Sequence, residues 1–141
     1  MFLLDTNVLS ELMKTQSDAK VIAWLDQQLD SELFYCAISK AEIEWGIAKL
    51  PDGKRKQQLD ASAQDIFALF EGRCLAYDCQ AASAYVEVAQ TAKLAGRPMS
   101  VEDMMIAAIT LVNGASLVTR NLADFEALNG LTAINPWIIQ N

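Results

Sequence analysis

Four acidic residues lie where a short apolar segment of the sequence ends or a long one begins. They are Asp5, Glu42, Asp103 and Asp124. Carboxylates bind hard divalent cations or act as general acids and bases. The chain contains no histidine, which excludes Ser-His-Asp and Cys-His catalysis as well as imidazole metal ligands. Chemistry near neutral pH must therefore come from carboxylates, a bound metal or backbone groups.

Predicted strands and helices alternate along the chain, and these elements must position the four acids. Short apolar segments typical of strands occur at 2–4, 33–36, 74–77, 116–119 and, more weakly, 131–134. Helical spacing of apolar residues occurs at about 21–29, 43–50, 54–70, 81–94 and 101–112, and a short helix is expected to run to Met13. This alternation predicts parallel strands joined by right-handed crossovers.

The expected fold class is therefore α/β. We predict a three-layer α/β/α sandwich with a central, mainly parallel sheet of four to five short strands and Phe2-Leu3-Leu4 at its centre. No repeat, low-complexity tract or linker divides the 141 residues, so a single domain over 1–141 is expected. The carboxyl ends of parallel strands meet at one edge of the sheet, and the four acids should lie there together.

Helix capping is the simpler explanation for each acid taken alone. Ser39 and Glu42 have the spacing of a capping box, and Ser100 and Asp103 repeat it. Asp5 can likewise cap the helix that follows it. Under this interpretation the acids satisfy helix N-termini and have no chemical role.

The joint pattern of acids favours a bound cation. Asp103 begins a helix with almost no polar face, so its carboxylate should be half-buried. An unpaired buried carboxylate costs several kcal/mol, whereas a helix N-terminus returns only about 0.3–1 kcal/mol. Gathering Asp5, Glu42 and Asp103 at one edge therefore predicts Mg²⁺, with Mn²⁺ as a substitute.

Composition limits the setting of the protein. The net charge of −7 argues mildly against a nucleic-acid partner but fits a cation site, and the basic cluster Lys54-Arg55-Lys56 is interpreted as a solvated helix start. No apolar segment approaches the about 18 residues that span a bilayer, and the N-terminus lacks the features of a signal peptide. Three cysteines without a CxxC pair indicate reduced thiols, so we expect a cytoplasmic protein without membrane contact.

The segments that carry the acids also resemble the successive motifs of PIN-domain ribonucleases. These motifs are LLDTNVLSEL, SKAEIEWG, RPMSVEDMMIAA, SLVTRNLADFEAL and INPW, which together span Phe2 to Trp137. Each is weakly specific alone, but their order and spacing resemble those of VapC/FitB-type toxins of type II toxin–antitoxin systems. The resemblance implies a PIN-like sandwich, Mg²⁺-dependent endoribonuclease activity, a homodimer, and neutralisation by a VapB-like antitoxin in a higher assembly. Similarity to VapC toxins also favours a tRNA substrate, cut in its anticodon loop.

The resemblance assigns roles to particular residues. It implies that Asp5, Glu42 and Asp103 are the catalytic and metal-binding acids. It further implies polar positions that support the acids by hydrogen bonding, and these are Asn7, Ser39 and Thr119.

One family position departs from the pattern. The fourth acidic position falls on Asn121, an amide in this sequence, and Asp124 follows three residues later. This departure leaves open whether one or two metal ions bind. It also leaves open whether Asn121 contacts a metal-bound water or Asp124 replaces the missing acid.

The predicted reaction is hydrolysis of an RNA phosphodiester. Asp5 and Asp103 hold one Mg²⁺, with Glu42 bound directly or through water, and the metal lowers the pKa of a bound water. Glu42 or Asp5 orients or deprotonates that water for in-line attack, which leaves a 5′-phosphate and a 3′-hydroxyl. Substrate binding is expected from local basic residues, namely Lys40, Lys49, Arg97 and Arg120.

Two other classes of function remain open from the sequence. Asp5 could be a nucleophile for phosphoryl transfer, although Asn7 stands where such a site needs a second acid. Alternatively, the acids only cap helices in a non-catalytic binding module. Its partner or dimer surface would include Trp24, Trp45, Trp137 and Ile138-Ile139, although we expect Trp45 to be an ordinary core residue. Metal-dependent turnover separates these classes.

Overall fold

The computed structural model describes residues 1–138 of the chain. The described part contains five strands, β1 (Phe2–Leu4), β2 (Leu33–Cys36), β3 (Cys74–Leu75), β4 (Ser116–Val118) and β5 (Ala133–Ile134). Its six α-helices are α1 (Thr6–Leu12), α2 (Ala19–Asp26), α3 (Ala37–Ala48), α4 (Lys54–Leu69), α5 (Cys79–Leu94) and α6 (Val101–Val112). Short 3-10 helices lie at Asp30–Glu32 and Leu122–Phe125.

The strands form one parallel sheet in the order β3-β2-β1-β4-β5. The first strand is central: Leu3 is opposite Phe34 on one side and Leu117 on the other. The predicted α/β class, the parallel sheet and the central position of Phe2–Leu4 are thus confirmed. All five carboxyl ends point to the same edge of the sheet.

Alternation along the strands divides the core into two layers, because successive side chains point to opposite faces of a sheet. Leu4 and Val118 pack with buried residues of α1, α2, α3 and α4. Leu3 and Leu117 pack with buried residues of α5 and α6 on the other face. The predicted three layers follow from this division.

Several boundaries and burial states differ from the predictions. The third strand ends at Leu75 rather than at 77, and α2 ends at Asp26, so that Leu29 is 72% exposed instead of lying on its apolar face. Trp45 is 64% exposed, although we expected it in the core. The reason is helical geometry: α3 buries Ile43 and Ile47, and a residue midway between an i, i+4 pair faces the opposite side.

Other predictions concern the surface and the thiols. The basic cluster begins α4, as expected for a solvated helix start. Cys36, Cys74 and Cys79 are free thiols. In the part of the chain that the structure describes, no helix has the length and apolarity needed to cross a bilayer. Of the expected apolar tail Ile138-Ile139, the second residue lies outside the described residues.

Candidate functional site

Asp5 is the first residue after β1, and its carboxylate is held by backbone and side-chain donors. The Asp5 side chain is only 4% exposed. Its Oδ1 accepts the Thr6 backbone N–H at 2.8 Å, and its Oδ2 accepts the Thr119 hydroxyl at 2.8 Å and the Asn7 amide at 3.4 Å. Asp5 does cap α1, as the simpler explanation required. A carboxylate offers about four acceptor sites, so these three hydrogen bonds leave it able to make a further contact.

Thr119 connects Asp5 to the end of β4. It is fully buried, and its backbone N–H bonds to the Ile134 carbonyl at 2.9 Å, one residue beyond the last paired residue of β4. The Thr119 hydroxyl also accepts the Asn121 backbone N–H at 3.1 Å. The position that the resemblance called supporting therefore contacts both the central acid and the fourth family position.

Glu42 and Ser39 lie in the first turns of α3, where the capping-box interpretation is wrong. The helix begins at Ala37, with Cys36 at the cap position and no side-chain cap, so Ser39 lies inside the helix and is fully buried. Thr6 Oγ1 lies 2.9 Å from Ser39 Oγ and 2.7 Å from Glu42 Oε1. Because a carboxylate can only accept, the Thr6 proton goes to Glu42, and Ser39 donates to Thr6.

Asp103 lies in the first turn of α6, on the opposite side of the sheet from α3. Ser100 is the N-cap, and its hydroxyl accepts the Asp103 backbone N–H at 3.1 Å. The side chain of Asp103 is half-buried, as its helix predicted. The capping bond uses the backbone N–H of Asp103, and the Asp103 side chain lines the same cleft as Asp5 and Glu42.

Burial and mutual repulsion act on these carboxyl groups. Burial raises the pKa of Asp5 above 3.8, although the hydrogen bonds from Thr119 and Thr6 lower it. The charges of Glu42 and Asp124 raise the pKa further. Burial also raises the pKa of Asp103, with the charge of Asp5 as the next cause. The charge of Asp5 therefore makes Asp103 more costly to ionise, and a cation between the two carboxylates would relieve that cost.

The acids line a common cleft of about 400 Å³. Its lining residues are Asp5, Thr6, Asn7, Ser10, Glu11, Lys14, Glu42, Asp103, Arg120, Asn121 and Trp137. Ser39 and Thr119 lie behind this surface, and Asp124 is not part of the lining. Within residues 1–138, no three or more Asp, Glu or Cys side chains lie close enough together to hold a metal ion between them. The donors still fit Mg²⁺, which keeps several waters and takes one or two protein carboxylates.

Two residues of the cleft escaped sequence reasoning. Thr6 has no role in the sequence-based predictions, and its contact with Glu42 joins residues 36 positions apart. Glu11 is 5% exposed and accepts the Lys14 ammonium and the Asp18 backbone N–H, both at 2.9 Å. A signal for Glu11 did exist, because it lies one helical turn after buried Val8, where an acid interrupts an apolar stripe.

The fold and the site define a class of protein: a parallel α/β domain with carboxylates at the carboxyl edge of its central strands. The sequence profile of the PIN domain matches residues 2–131. The chain belongs to the PIN-domain family.

Particular relatives are similar over nearly the whole chain. VapC ribonuclease Y4jK of Sinorhizobium fredii is 38% identical over 138 residues, which cover 97% of this chain and 98% of the relative. Toxin FitB of Neisseria gonorrhoeae is 36% identical over 97% of this chain and 99% of its own length. A solved structure of FitAB bound to an IR36 DNA fragment matches with a TM-score of 0.90 and 35% identity, over 100% of this chain and 99% of that one.

Proposed function

We propose that the chain is a Mg²⁺-dependent endoribonuclease and the toxin of a VapBC-type toxin–antitoxin pair. The observation that carries the proposal is Asp5, a buried carboxylate in the same cleft as Asp103 and Glu42. Asp5 forms no ion pair with any side chain of residues 1–138. Among the relatives, one is a VapC ribonuclease and another is a toxin.

Asp5 and Asp103 would hold the metal, with Glu42 as a direct or water-mediated ligand. When bound, Mg²⁺ neutralises charge on the phosphodiester and acidifies a bound water. Thr119, Asn7 and the backbone of Thr6 keep the Asp5 carboxylate in one orientation. This fixed orientation lowers the reorganisation needed when substrate binds.

The chain's own groups then act on the attacking water. Glu42, whose carboxylate accepts the Thr6 hydroxyl, would accept a proton from water during in-line attack on phosphorus. The water oxygen attacks phosphorus, the bond from phosphorus to the 3′ oxygen breaks, and the departing oxygen takes a proton from solvent. The products therefore carry a 5′-phosphate and a 3′-hydroxyl. The RNA 2′-hydroxyl takes no part as a nucleophile.

The test of the activity uses purified protein and total RNA, including tRNA, with Mg²⁺, with Mn²⁺ or with EDTA. Wild type should cleave with either metal, and both EDTA and Asp5→Asn should abolish cleavage. Asp60→Asn, which removes an exposed acid of α4, is the matched control and should cleave normally. Equal cleavage in all samples, or a 2′,3′-cyclic phosphate end, would contradict the proposal. Phosphate trapped on Asp5 would favour the phosphoryl-transfer alternative.

The proposed partners are a tRNA substrate, cut in the anticodon loop, and a VapB-like antitoxin that neutralises a toxin homodimer in the cytoplasm. A groove of about 360 Å³ beside the cleft supports an antitoxin segment with an apolar face, because apolar side chains dominate its wall. These side chains are Met13, Ile43, Ile47, Leu50 and Leu59. Leu59→Asp should weaken neutralisation by a co-expressed antitoxin without lowering cleavage. Light scattering after size-exclusion chromatography tests the homodimer.

A further inference from the structure

The four basic residues expected to bind substrate occupy different surroundings. Lys40 pairs with Glu44, and Arg97 pairs with Glu126 at 2.9 Å. Lys49 lies over the Trp45 ring, outside the cleft. Arg120 alone among the four lines the cleft with the acids. Arg120 is therefore the candidate among the four for binding substrate in the cleft, and the other three are surface charges.

The backbone of Arg120 is fixed on both sides. Its N–H donates to Asn7 Oδ1 at 3.2 Å, and its carbonyl accepts the Asn135 amide at 3.2 Å. Asn135 Oδ1 in turn accepts the Trp137 backbone N–H at 2.9 Å. The same residue that supports Asp5, namely Asn7, thus also sets the position of Arg120.

The guanidinium of Arg120 lies on an aromatic ring instead of on a carboxylate. Its Cζ is 5.0 Å from the centroid of Trp137, whose ring packs against the core on the α1–α4 face. No carboxylate of residues 1–138 lies within ion-pair distance of it, although four acids line the same cleft. The other cation of the cleft, Lys14, is paired with Glu11. A planar cation that lies over an indole ring is pre-oriented, and its N–H donors stay free for another partner.

We infer that Arg120 binds a backbone phosphate of the RNA in this cleft and that Trp137 is the residue that positions it. This inference rests on the proposed function, because it names the contact by which that site holds its polyanionic substrate. A guanidinium presents paired N–H donors that match two phosphate oxygens. In a chain of net charge −7, a cation beside the acids that forms no ion pair within residues 1–138 offsets repulsion of the RNA.

The experiment measures RNA cleavage kinetics and equilibrium binding for matched variants. Arg120→Met and Lys49→Met each remove one cation that lies on a tryptophan, one inside the cleft and one outside it. Binding is measured with a fluorescein-labelled single-stranded RNA of random sequence in EDTA, so that it does not depend on metal or turnover. Arg120→Met should raise both KM and Kd about tenfold with little change in kcat, whereas Lys49→Met should match wild type.

The salt dependence supplies a second readout. Loss of one phosphate contact to single-stranded RNA should reduce the slope of log K against log salt by about 0.7. Trp137→Leu should reproduce the rise in KM, and Trp137→Phe, which keeps a ring, should restore wild-type KM. Melting temperatures identify any variant that fails to fold. If a Trp137 variant fails to fold, Arg120→Met still decides the test, because it changes an exposed side chain.

The outcomes separate this inference from the proposed function. Wild-type KM, Kd and salt slope in Arg120→Met, with active wild-type enzyme, would overturn the inference alone. Loss of antitoxin binding without loss of RNA binding in Arg120→Met would also overturn it, in favour of an acidic protein segment. A wild type that neither binds nor cleaves RNA would overturn both.

Discussion

Thr6 holds the carboxylate of Glu42 by a 2.7 Å hydrogen bond, and this contact joins the first turn of α1 to α3 beside the cleft. Thr6 directly follows Asp5, and its backbone N–H bonds to the Asp5 carboxylate at 2.8 Å. One residue therefore fixes two acids, Asp5 directly after β1 and Glu42 in the helix that follows the neighbouring strand β2. The Thr6 hydroxyl orients the Glu42 carboxylate, and the Thr6 backbone N–H orients the Asp5 carboxylate. Substitution of the Thr6 side chain can therefore separate the two effects.

Replacing Thr6 by valine should lower kcat for RNA cleavage about tenfold. The substitution conserves shape and the backbone bond to Asp5 but removes the hydroxyl that orients Glu42, and a hydrogen bond to a charged group is worth about 1.5–3 kcal/mol. Single-turnover cleavage measures the effect. Thr6→Ser retains the hydroxyl and should keep most of the activity. Equal rates for the valine and serine variants would show that the Thr6–Glu42 contact has no role in the reaction.

Replacing Asp103 by asparagine should stabilise the metal-free protein while abolishing cleavage. Burial and the charge of Asp5 raise the pKa of Asp103. At a pH above the usual range of carboxyl pKa values, the ionised Asp103 side chain therefore destabilises the folded state. The group is only half-buried, and solvent screening limits the gain to less than about 1 kcal/mol, or up to about 4 °C in Tm. Thermal melts in EDTA measure the gain. Cleavage should fall at least about 100-fold with the loss of a metal ligand.

Glu102→Gln is the matched control for this substitution. Glu102 is exposed in the same helical turn, and its replacement should leave cleavage unchanged. A destabilised Asp103→Asn protein in EDTA would contradict the electrostatic account of the cleft.

The sequence was sufficient to predict where the acids fall because the rule involved is topological. Asp5 follows a strand, Asp103 begins a helix, and parallel strands bring such positions to one edge. Contacts between distant elements could not be predicted in this way. Ser39 looked like a helix cap because its spacing to Glu42 fits a capping box, but α3 begins two residues earlier and buries the hydroxyl against Thr6.

The surroundings of single side chains were also not predicted correctly. Trp45 is apolar, yet helical phase places it opposite Ile43 and Ile47. Arg120 and Trp137 lie 17 positions apart and meet only because β5 is adjacent to β4, and no periodic pattern links them. Packing between elements decides the contact of Arg120 with Trp137, whereas the exposure of Trp45 follows from the helical period of α3.

Glu11→Gln should destabilise the protein at pH 7 by about 1–3 kcal/mol, because it removes the acceptor charge from two hydrogen bonds. The Lys14 hydrogen bond, opposed by burial and aided by the Asp18 N–H, lowers the pKa of Glu11 below 4.5. Between the lowered pKa of the folded state and pH 4.5, the unfolded chain binds more protons than the folded one. The contribution of ionised Glu11 to stability is therefore complete above pH 4.5 and is lost as pH falls through the folded-state pKa. Urea denaturation at several pH values measures it.

The control for Glu11 is Glu71→Gln, at an exposed acid after α4. This control should change stability by less than about 0.5 kcal/mol at pH 7. The deficit of Glu11→Gln should shrink in acid. A deficit that persists unchanged at acidic pH would assign the effect to packing and not to charge.

Mg²⁺ should raise the Tm of the wild-type protein, because a ligand that binds only the folded state stabilises it by mass action. The gain is about 1.4 kcal/mol at a free Mg²⁺ concentration about ten times the Kd. Asp103→Asn should lose most of this gain, and NaCl at equal ionic strength should not reproduce it. A wild-type Tm that does not respond to Mg²⁺ or Mn²⁺ would contradict a metal site in the cleft.

Replacing Asn121 by aspartate should lower the Mg²⁺ concentration needed for half-maximal cleavage about threefold to tenfold. Asn121 lines the cleft, and its backbone N–H already bonds to Thr119, so the change adds a carboxylate in nearly the same shape. In EDTA the added charge should lower the Tm by repulsion with Asp5 and Asp103. Asp124→Asn is the comparison, because Asp124 does not line the cleft and acts on those acids only through its charge. It should change the Mg²⁺ requirement less than about twofold. If Asp124→Asn instead raised that requirement tenfold while Asn121→Asp left it unchanged, Asp124 would be the fourth acid of the site.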